Sequence, residues 1–227
     1  MSSPIANNKR SFLKQGLIFI HQQSAHSSRV DRLASIFAKS IQTIFPSPKK
    51  TLSILDVGCG DMTLAETISR ILPHTRWTCT DIHPLPTELS TSEKWSKYRQ
   101  FDGEQLPFES GLFDAVVFSD VLHHCLPKAE SLLREAGRVG EYVMVKDHFE
   151  TGPISRQILR MMDFVGNYGY GVSVPTRYFD QTFFASLAEK SGLDIVDLQK
   201  RMPMYPLPLS ILLPDKLQFL SILKRTG

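Results

Sequence analysis

From residue 50 onward the chain alternates short apolar runs with amphipathic stretches, which is typical of strands and helices in alternation. The apolar runs predict strands at Leu52–Val57, Arg76–Thr80, Tyr98–Phe101, Ala115–Ser119, Tyr142–Lys146, Asp194–Gln199 and Leu217–Lys224. Helical spacing between them predicts helices at Thr63–Leu72, Pro127–Arg138 and Gln181–Ser191, the last ended by Gly192. This alternation predicts an α/β fold with a doubly wound, Rossmann-like sheet and helices on both faces.

Two segments fall outside the alternation. Residues 24–45 place apolar residues at helical spacing, so we expect an amphipathic N-terminal helix that packs on the sheet domain. Residues 148–180 combine a predicted helix, Ile154–Val165, with the Gly-rich aromatic stretch Gly166–Val172, and an insertion of this length after a strand can cover a substrate. We therefore expect one domain over 1–227, made of an N-terminal helical extension at 1–48, a cofactor-binding core at 50–147, a substrate lid at 148–180, and a C-terminal helix with two strands at 181–227.

Composition narrows the class of protein. The chain has 227 residues, of which 42% are hydrophobic and 22% charged, as in an ordinary globular domain. No apolar run approaches the roughly 20 residues of a bilayer-spanning helix, so an integral membrane protein is not expected. The three cysteines have no CxxC spacing, which predicts neither disulfides nor a metal site and favours a cytoplasmic location.

Charge is placed unevenly along the chain. Residues 1–50 hold eight Lys/Arg and one acid, whereas the remainder holds 18 basic and 22 acidic residues, giving +7 against −4. The basic N-terminus is therefore a candidate for peripheral contact with a membrane surface. The acidic remainder argues against nucleic acid as a partner, because nucleic-acid binding relies on positive charge.

The clearest chemical signal is the turn after the first predicted strand. Gly58 and Gly60 allow the backbone to approach a ligand closely at the start of a helix. Asp81 follows Gly60 by 21 residues at the end of the second strand, and Asp102 lies 21 further on, after the third. Such positions line one crevice in a parallel sheet, where a carboxylate can bind ribose hydroxyls. Asp61 would repel a phosphate, so the sulfonium and ammonium of S-adenosylmethionine suit this acidic rim better than a dinucleotide does.

The motifs extend beyond this turn. Together, Ile54–Gly60, Thr80–Ile82, Phe101–Phe108, Phe113–Val117 and Ser119–His124 resemble the class I S-adenosylmethionine-dependent methyltransferases, specifically the small-molecule type-11 group that includes quinone C-methyltransferases. The resemblance covers residues 50–147 and implies a seven-stranded mixed sheet whose last strand is antiparallel.

The resemblance also implies roles for individual residues. Gly58 and Gly60 would face the methionine moiety with Cys59 beside it, Asp56 would reach the amine through water, Asp81 would hold the ribose, and Asp102 with Gly103 would hold the adenine. Ile82 and Ser119 complete the expected cofactor-binding set. Met62 stands where the family usually has a third glycine.

His123 and His148 are the candidate catalytic residues. His123, next to His124, follows the fourth predicted strand, and His148 follows the fifth at the same edge. A neutral imidazole there could remove a proton from a phenol or hydroxyl as the methyl moves. The histidines could equally shape the pocket wall, because in-line orientation alone can supply about 7 to 11 kcal/mol and a base is then not required.

The sequence therefore predicts an S-adenosylmethionine-dependent methyltransferase that acts on a small apolar or aromatic molecule. A nucleic-acid methyltransferase is an alternative. It is disfavoured because enzymes that methylate base amino groups typically have a sequence resembling Asn/Asp-Pro-Pro-Tyr after the fourth strand, where this chain has Ser119–Leu122. A partner protein that binds the cofactor without catalysis is the other alternative, since a nucleoside pocket does not guarantee an acceptor site.

Overall fold

The computed structural model describes residues 28–85, 87, 93–166, 173–204 and 215–226. Within these ranges the strands are β1 Leu52–Val57, β2 Thr75–Asp81, β3 Tyr98–Gln100, β4 Phe113–Ser119, β5 Gly140–His148, β6 Leu193–Lys200 and β7 Gln218–Arg225. The helices are α1 at 28–44, α2 Thr63–Ile71, α3 Lys94–Lys97, α4 Ala129–Val139, α5 Pro153–Gly166 and α6 Gln181–Lys190. Two 3₁₀ segments cover Leu122–Lys128 and Asp215–Leu217.

The strands form one mixed sheet in the order β3-β2-β1-β4-β5-β7-β6. Strands β1 to β5 pair in parallel, and β7 runs antiparallel to both β5 and β6. The predicted seven-stranded mixed sheet is confirmed. The strand order reverses between β1 and β4, and the carboxyl ends of strands at such a switch point frame the crevice in which open α/β sheets bind ligands.

Helices cover both faces of the sheet. Successive residues of β1 point to opposite faces, so Ile54 lies in the core beneath α1 and α2 while Leu55 lies in the core beneath α4 and α6. Phe37 and Ile41 of α1 are fully buried, as the apolar spacing of this segment predicts. The first four residues of the predicted 24–45 helix lie outside the described residues.

The largest departures from prediction concern short segments. Helix α3 has four residues, too few to leave an amphipathic pattern in the sequence, and it was not predicted. Strand β3 ends at Gln100, so Asp102 lies in the following loop rather than at the strand end. Most of Gly166–Val172 and all of the basic segment 1–27 lie outside the described residues. Among the helices that are described, none combines the length and apolar character needed to cross a bilayer.

Candidate functional site

The turn after β1 has the left-handed backbone that its glycines allow. Gly58 has φ +76° and Gly60 has φ +52°. A Cβ added to Gly58 would lie 2.4 Å from a Val121 methyl carbon, so a side chain here would collide with the residue that follows β4 by two positions. Met62 adopts φ 66° without being glycine, at a cost of about 1–2 kcal/mol. Its side chain is buried in the core, which explains how the turn tolerates methionine there.

A hydrogen bond holds the Asp81 carboxylate against this turn. The backbone N–H of Gly60 donates to Asp81 Oδ2 at 3.0 Å, and the N–H of His83 donates to Oδ1 at 3.0 Å. The backbone N–H groups of Gly58 and Cys59 both donate to the Thr80 carbonyl, at 2.8 and 3.2 Å. The structure thus brings the glycine turn and the acid of β2 together, as the spacing predicted. Each carboxylate oxygen keeps a lone pair that could accept a ribose hydroxyl.

Ile82 and Gly103 lie side by side just beyond Asp81. The Ile82 side chain is 51% exposed, and its Cγ2 lies 3.1 Å from the position that a Gly103 Cβ would take. The Gln100 side-chain amide donates to the Ile82 carbonyl at 2.9 Å and steadies this loop. The contact of Ile82 and Gly103 with adenine stays a prediction.

Asp102 has a local structural role. Its Oδ1 accepts the backbone N–H groups of Glu104 at 2.8 Å and Gln105 at 3.0 Å. These donors, Gln105 foremost, hold the pKa of the exposed carboxyl below its usual range. The contacts show Asp102 capping its own loop, and its contact with adenine stays a prediction.

Asp56 is buried at the carboxyl half of β1. Burial, together with the negative charges of Asp81 and Asp61, raises the pKa of Asp56 to about 7. A positive group placed among these acids would favour the ionised form of Asp56, so this corner of the crevice favours a cationic ligand.

The remaining predicted cofactor residues are less informative. Cys59 is buried, and the pKa of its thiol is raised by a hydrogen bond with Cys79 and by burial, so the thiol is not a nucleophile at neutral pH. Ser119 ends β4 and pairs in register with Lys146 of β5. Their contacts with a cofactor stay predictions.

His123 lies between two carboxylates. Its Nδ1 is 2.7 Å from Asp147 Oδ1 at the end of β5, and its Nε2 is 3.3 Å from Asp163 Oδ2 on α5. Burial opposes the positive charge, but the carboxylates, Asp147 foremost, outweigh it and raise the pKa of His123 to about 10. Since an imidazolium has no free lone pair, this geometry argues against the general-base role predicted for His123.

His148 has a different environment. Its backbone N–H donates to Asp147 Oδ1 at 2.7 Å, whereas its ring Nδ1 lies 3.4 Å from Asp120 and 3.5 Å from Asp147 without forming a hydrogen bond within the described part of the chain. Burial, followed by the positive charge of Lys146, lowers the pKa of His148. The ring is therefore neutral at pH 7, and its role as a base stays a prediction.

A partly buried ion cluster that the sequence analysis missed joins α1 to this edge. Asp120, at φ 58° directly after β4, accepts from Lys146 Nζ and from Arg29 Nη2, each at 2.5 Å. Burial opposes ionisation, but Lys146, His148 and Arg29 hold the pKa of Asp120 far below its usual range. A lysine at the end of an apolar strand run was the available signal, because buried charges are rare unless paired.

These features match a known family. Residues 55–141 match the family model described as "Methyltransferase domain". Over these residues the chain is similar to a methyltransferase domain. Over 91 residues it is 34% identical to the ubiquinone biosynthesis O-methyltransferase of Methylocella silvestris, covering 37% of this chain. The match spans about a third of that curated relative, 34% of its length.

Solved structures support the fold of the methyltransferase domain. One is a complex between the Haloferax volcanii Trm112 methyltransferase activator and a candidate methyltransferase, with TM-score 0.61 and 11% identity, covering 87% of this chain and 98% of that one. Another is an S-adenosylmethionine-dependent methyltransferase from Methanosarcina mazei, with TM-score 0.57 and 15% identity, covering 81% of this chain and 97% of that one. At these identities the likeness shows a shared fold.

Proposed function

We propose that the protein is an S-adenosylmethionine-dependent methyltransferase that acts on a small apolar or aromatic acceptor. The observation that carries this proposal is the acidic crevice at the switch point, where the Gly60 amide holds Asp81 and where Asp56 lies buried with a raised pKa. Such a site favours a cationic nucleoside over a phosphate-bearing one. The similarity to an O-methyltransferase supports an oxygen nucleophile on the acceptor.

Different residues would bind the cofactor and the acceptor. S-adenosylmethionine, when bound, supplies an electrophilic methyl group on a sulfonium. Asp81 would accept the ribose hydroxyls, Asp56 would face the ammonium, and Ile82 with Gly103 would contact the adenine. The acceptor would lie beside His124 and His148, and its hydroxyl proton would leave to a base there or to water. Residues 148–180, which contain α5, would cover the acceptor as a lid.

The test is turnover with defined acceptors. The protein would be incubated with S-adenosylmethionine and, in turn, catechol, 4-hydroxybenzoate and a short DNA duplex, and S-adenosylhomocysteine would be measured by mass spectrometry. We expect product with at least one phenol and none with the duplex. Cofactor binding without product from any acceptor would instead favour the non-catalytic binding protein, and product with DNA would favour the nucleic-acid enzyme.

Asp81→Ala should weaken binding of S-adenosylhomocysteine by at least tenfold. A hydrogen bond to a charged group contributes about 1.5–3 kcal/mol, and 1.36 kcal/mol corresponds to a factor of ten. Titration calorimetry measures the effect. Asp114→Ala is the matched control, because Asp114 bonds Lys50 and the Ser53 amide instead of the glycine turn. Equal affinities in folded Asp81→Ala and wild type would remove Asp81 from the site.

A further inference from the structure

We infer that His123 is a positioning residue whose fixed positive charge fastens α5 to the carboxyl edge of the sheet and leaves His124 as the histidine that meets the acceptor. The assignment of His124 rests on the proposed function. The assignment of His123 rests on the contacts of its ring alone, and the two parts are tested separately below.

Neither nitrogen of the His123 ring is exposed, and Nε2 lies at ion-pair distance from Asp163 without forming a hydrogen bond among the described residues. Both ring nitrogens face carboxylates, Asp147 on β5 and Asp163 on α5, and the side chain is completely buried. The backbone N–H of His123 also faces Asp147, at 3.3 Å from Oδ2. The Tyr178 hydroxyl donates to Asp163 Oδ2 at 2.5 Å, which orients that carboxylate toward the ring. The imidazole therefore connects three elements, the 3₁₀ segment after β4, β5 and α5.

Each carboxylate around the ring has a paired cation when the ring is protonated. The paired cations are Arg29, Lys146 and the His123 imidazolium, and the anions are Asp120, Asp147 and Asp163. Arg160 of α5 adds a positive charge near Tyr178. His148, edge-on to His123 with ring centroids 5.4 Å apart, and Tyr178, also at 5.4 Å, stay neutral. A neutral His123 would leave a buried carboxylate without its cation, which is costly in an apolar interior.

The same residues could be read as metal ligands. Ligand atoms of His123, Asp147 and His148 lie within 4.8 Å of one another, as do those of His123, His124 and Asp163. Both groups need a nitrogen of His123 that already lies at ion-pair distance from a carboxylate. A divalent ion would also add positive charge to a cluster in which each carboxylate already has a paired cation, so we assign the proton.

Asp163 is the polar anchor of α5 in this arrangement. Leu159 on the same helix packs in a small apolar cluster with Tyr178 and Leu217. Asp163 adds a charged contact one turn further along, directed at the edge where β4 and β5 end. The docking of α5 against this edge of the sheet is therefore coupled to the protonation of His123.

His124 is the least buried histidine of this group. Its ring lies 4.0 Å from the His123 ring between centroids, and the residue is half-buried, whereas His123 and His148 are buried. Its Nδ1 has no hydrogen-bond partner among the described residues. Burial and the neighbouring His123 charge lower the pKa of His124, so its imidazole is neutral at pH 7.

The first test is an NMR titration of protein labelled with ¹⁵N-histidine, which needs no acceptor. We expect both His123 nitrogens to stay protonated through pH 8, while His124 and His148 are neutral. Asp163→Asn should lower the pKa of His123 by about 1–3, since a facing carboxylate shifts a pKa by that much, and should speed amide exchange across α5. Asp163→Glu should restore both. Tyr178→Phe, which keeps the Asp163 charge, should not lower the pKa of His123.

Three results would overturn the role of His123: a neutral His123 tautomer in the wild type at pH 7, unchanged titration and α5 exchange in Asp163→Asn, or one equivalent of metal in the purified protein. The wild-type titration decides the question even if Asp163→Asn fails to fold.

The second test concerns His124. Adding catechol to the protein saturated with S-adenosylhomocysteine should shift the His124 ring resonances more than those of His123. If catechol is methylated, His124→Ala should lower turnover by about 10²–10⁴ and remove the acidic limb of the pH profile. If His123 titrates as expected but no acceptor is turned over, the positioning role of His123 stands and the proposed function is rejected. If catechol is methylated but its addition does not shift the His124 ring resonances, His124 does not lie in the acceptor site.

Discussion

Replacing Asp120 with alanine should lower the free energy of unfolding by about 3–5 kcal/mol, because it leaves a buried charge without its partner. The Lys146 ammonium is completely buried and donates to Asp120 at 2.5 Å, and Arg29 of α1 donates to the other oxygen of the same carboxylate. The variant should lose the anion that holds α1 against the end of β4. Urea unfolding, followed by circular dichroism, measures the difference from the wild type.

Asp114→Ala is the matched control for this prediction. The Asp114 side chain is 15% exposed, close to the 18% of Asp120, and it lies on β4, which Asp120 directly follows. Its partners are the exposed Lys50 and a backbone amide, so its loss should cost only about 0.5–1.5 kcal/mol. Adding Lys146→Met to Asp120→Ala should recover most of the loss by removing the stranded charge. Equal effects of Asp120→Ala and Asp114→Ala would contradict the buried pairing.

The difference in unfolding free energy between the wild type and Asp120→Ala should decrease as the pH falls. Folding lowers the pKa of Asp120 from its ordinary value of 3.8, so the carboxylate contributes its stability above that value and loses it as the pH falls further. The gap between wild type and Asp120→Ala should therefore be full at pH 7 and shrink progressively below about pH 4. A gap that instead widened in acid would mean that the carboxylate is not ionised in the folded protein.

The strands could be predicted because most of them are buried on both faces. Parallel strands between helix layers contain continuous apolar runs, and β1 and β4 have such runs in the sequence. The contact between Gly60 and Asp81 could be predicted for a related reason, since Gly60 follows β1, Asp81 ends β2, and parallel strands end at one edge. Spacing along the chain is then a direct guide to proximity in space.

The acceptor side could not be predicted in the same way. Asp147 lies next to His148 in sequence, yet its carboxylate bonds the ring of His123, 24 residues earlier. Asp163 reaches His123 from a helix whose position depends on how the segment after β5 folds back. Such contacts depend on the packing of α5 and on the direction of each side chain, and neither leaves a periodic signal in the sequence. The sequence therefore indicates the histidines but not their protonation.

Gly58→Ala should be the most damaging small substitution in the glycine turn after β1. The added methyl would lie 2.4 and 2.9 Å from the two Val121 methyl carbons, closer than carbon atoms approach in proteins. The backbone at φ +76° adds strain for any residue with a side chain, about 1–2 kcal/mol, to an overpacking cost of about 1–3 kcal/mol. We expect a loss of about 2–5 kcal/mol in unfolding free energy. Binding of S-adenosylhomocysteine should also weaken by more than tenfold, because the turn that holds Asp81 must move.

Two further variants separate the backbone strain at Gly58 from the steric clash with Val121. Gly111→Ala has a similar backbone, φ +70°, with nothing within 4 Å of the new Cβ, so it should show only the conformational cost of about 1–2 kcal/mol. Gly58→Ala combined with Val121→Ala removes the colliding methyl groups and should recover the overpacking part relative to Val121→Ala alone. Urea unfolding and titration calorimetry measure both quantities. If Gly58→Ala and Gly111→Ala lower stability equally, Val121 does not press on the glycine turn, and the contact between the ends of β1 and β4 is looser than the structure shows.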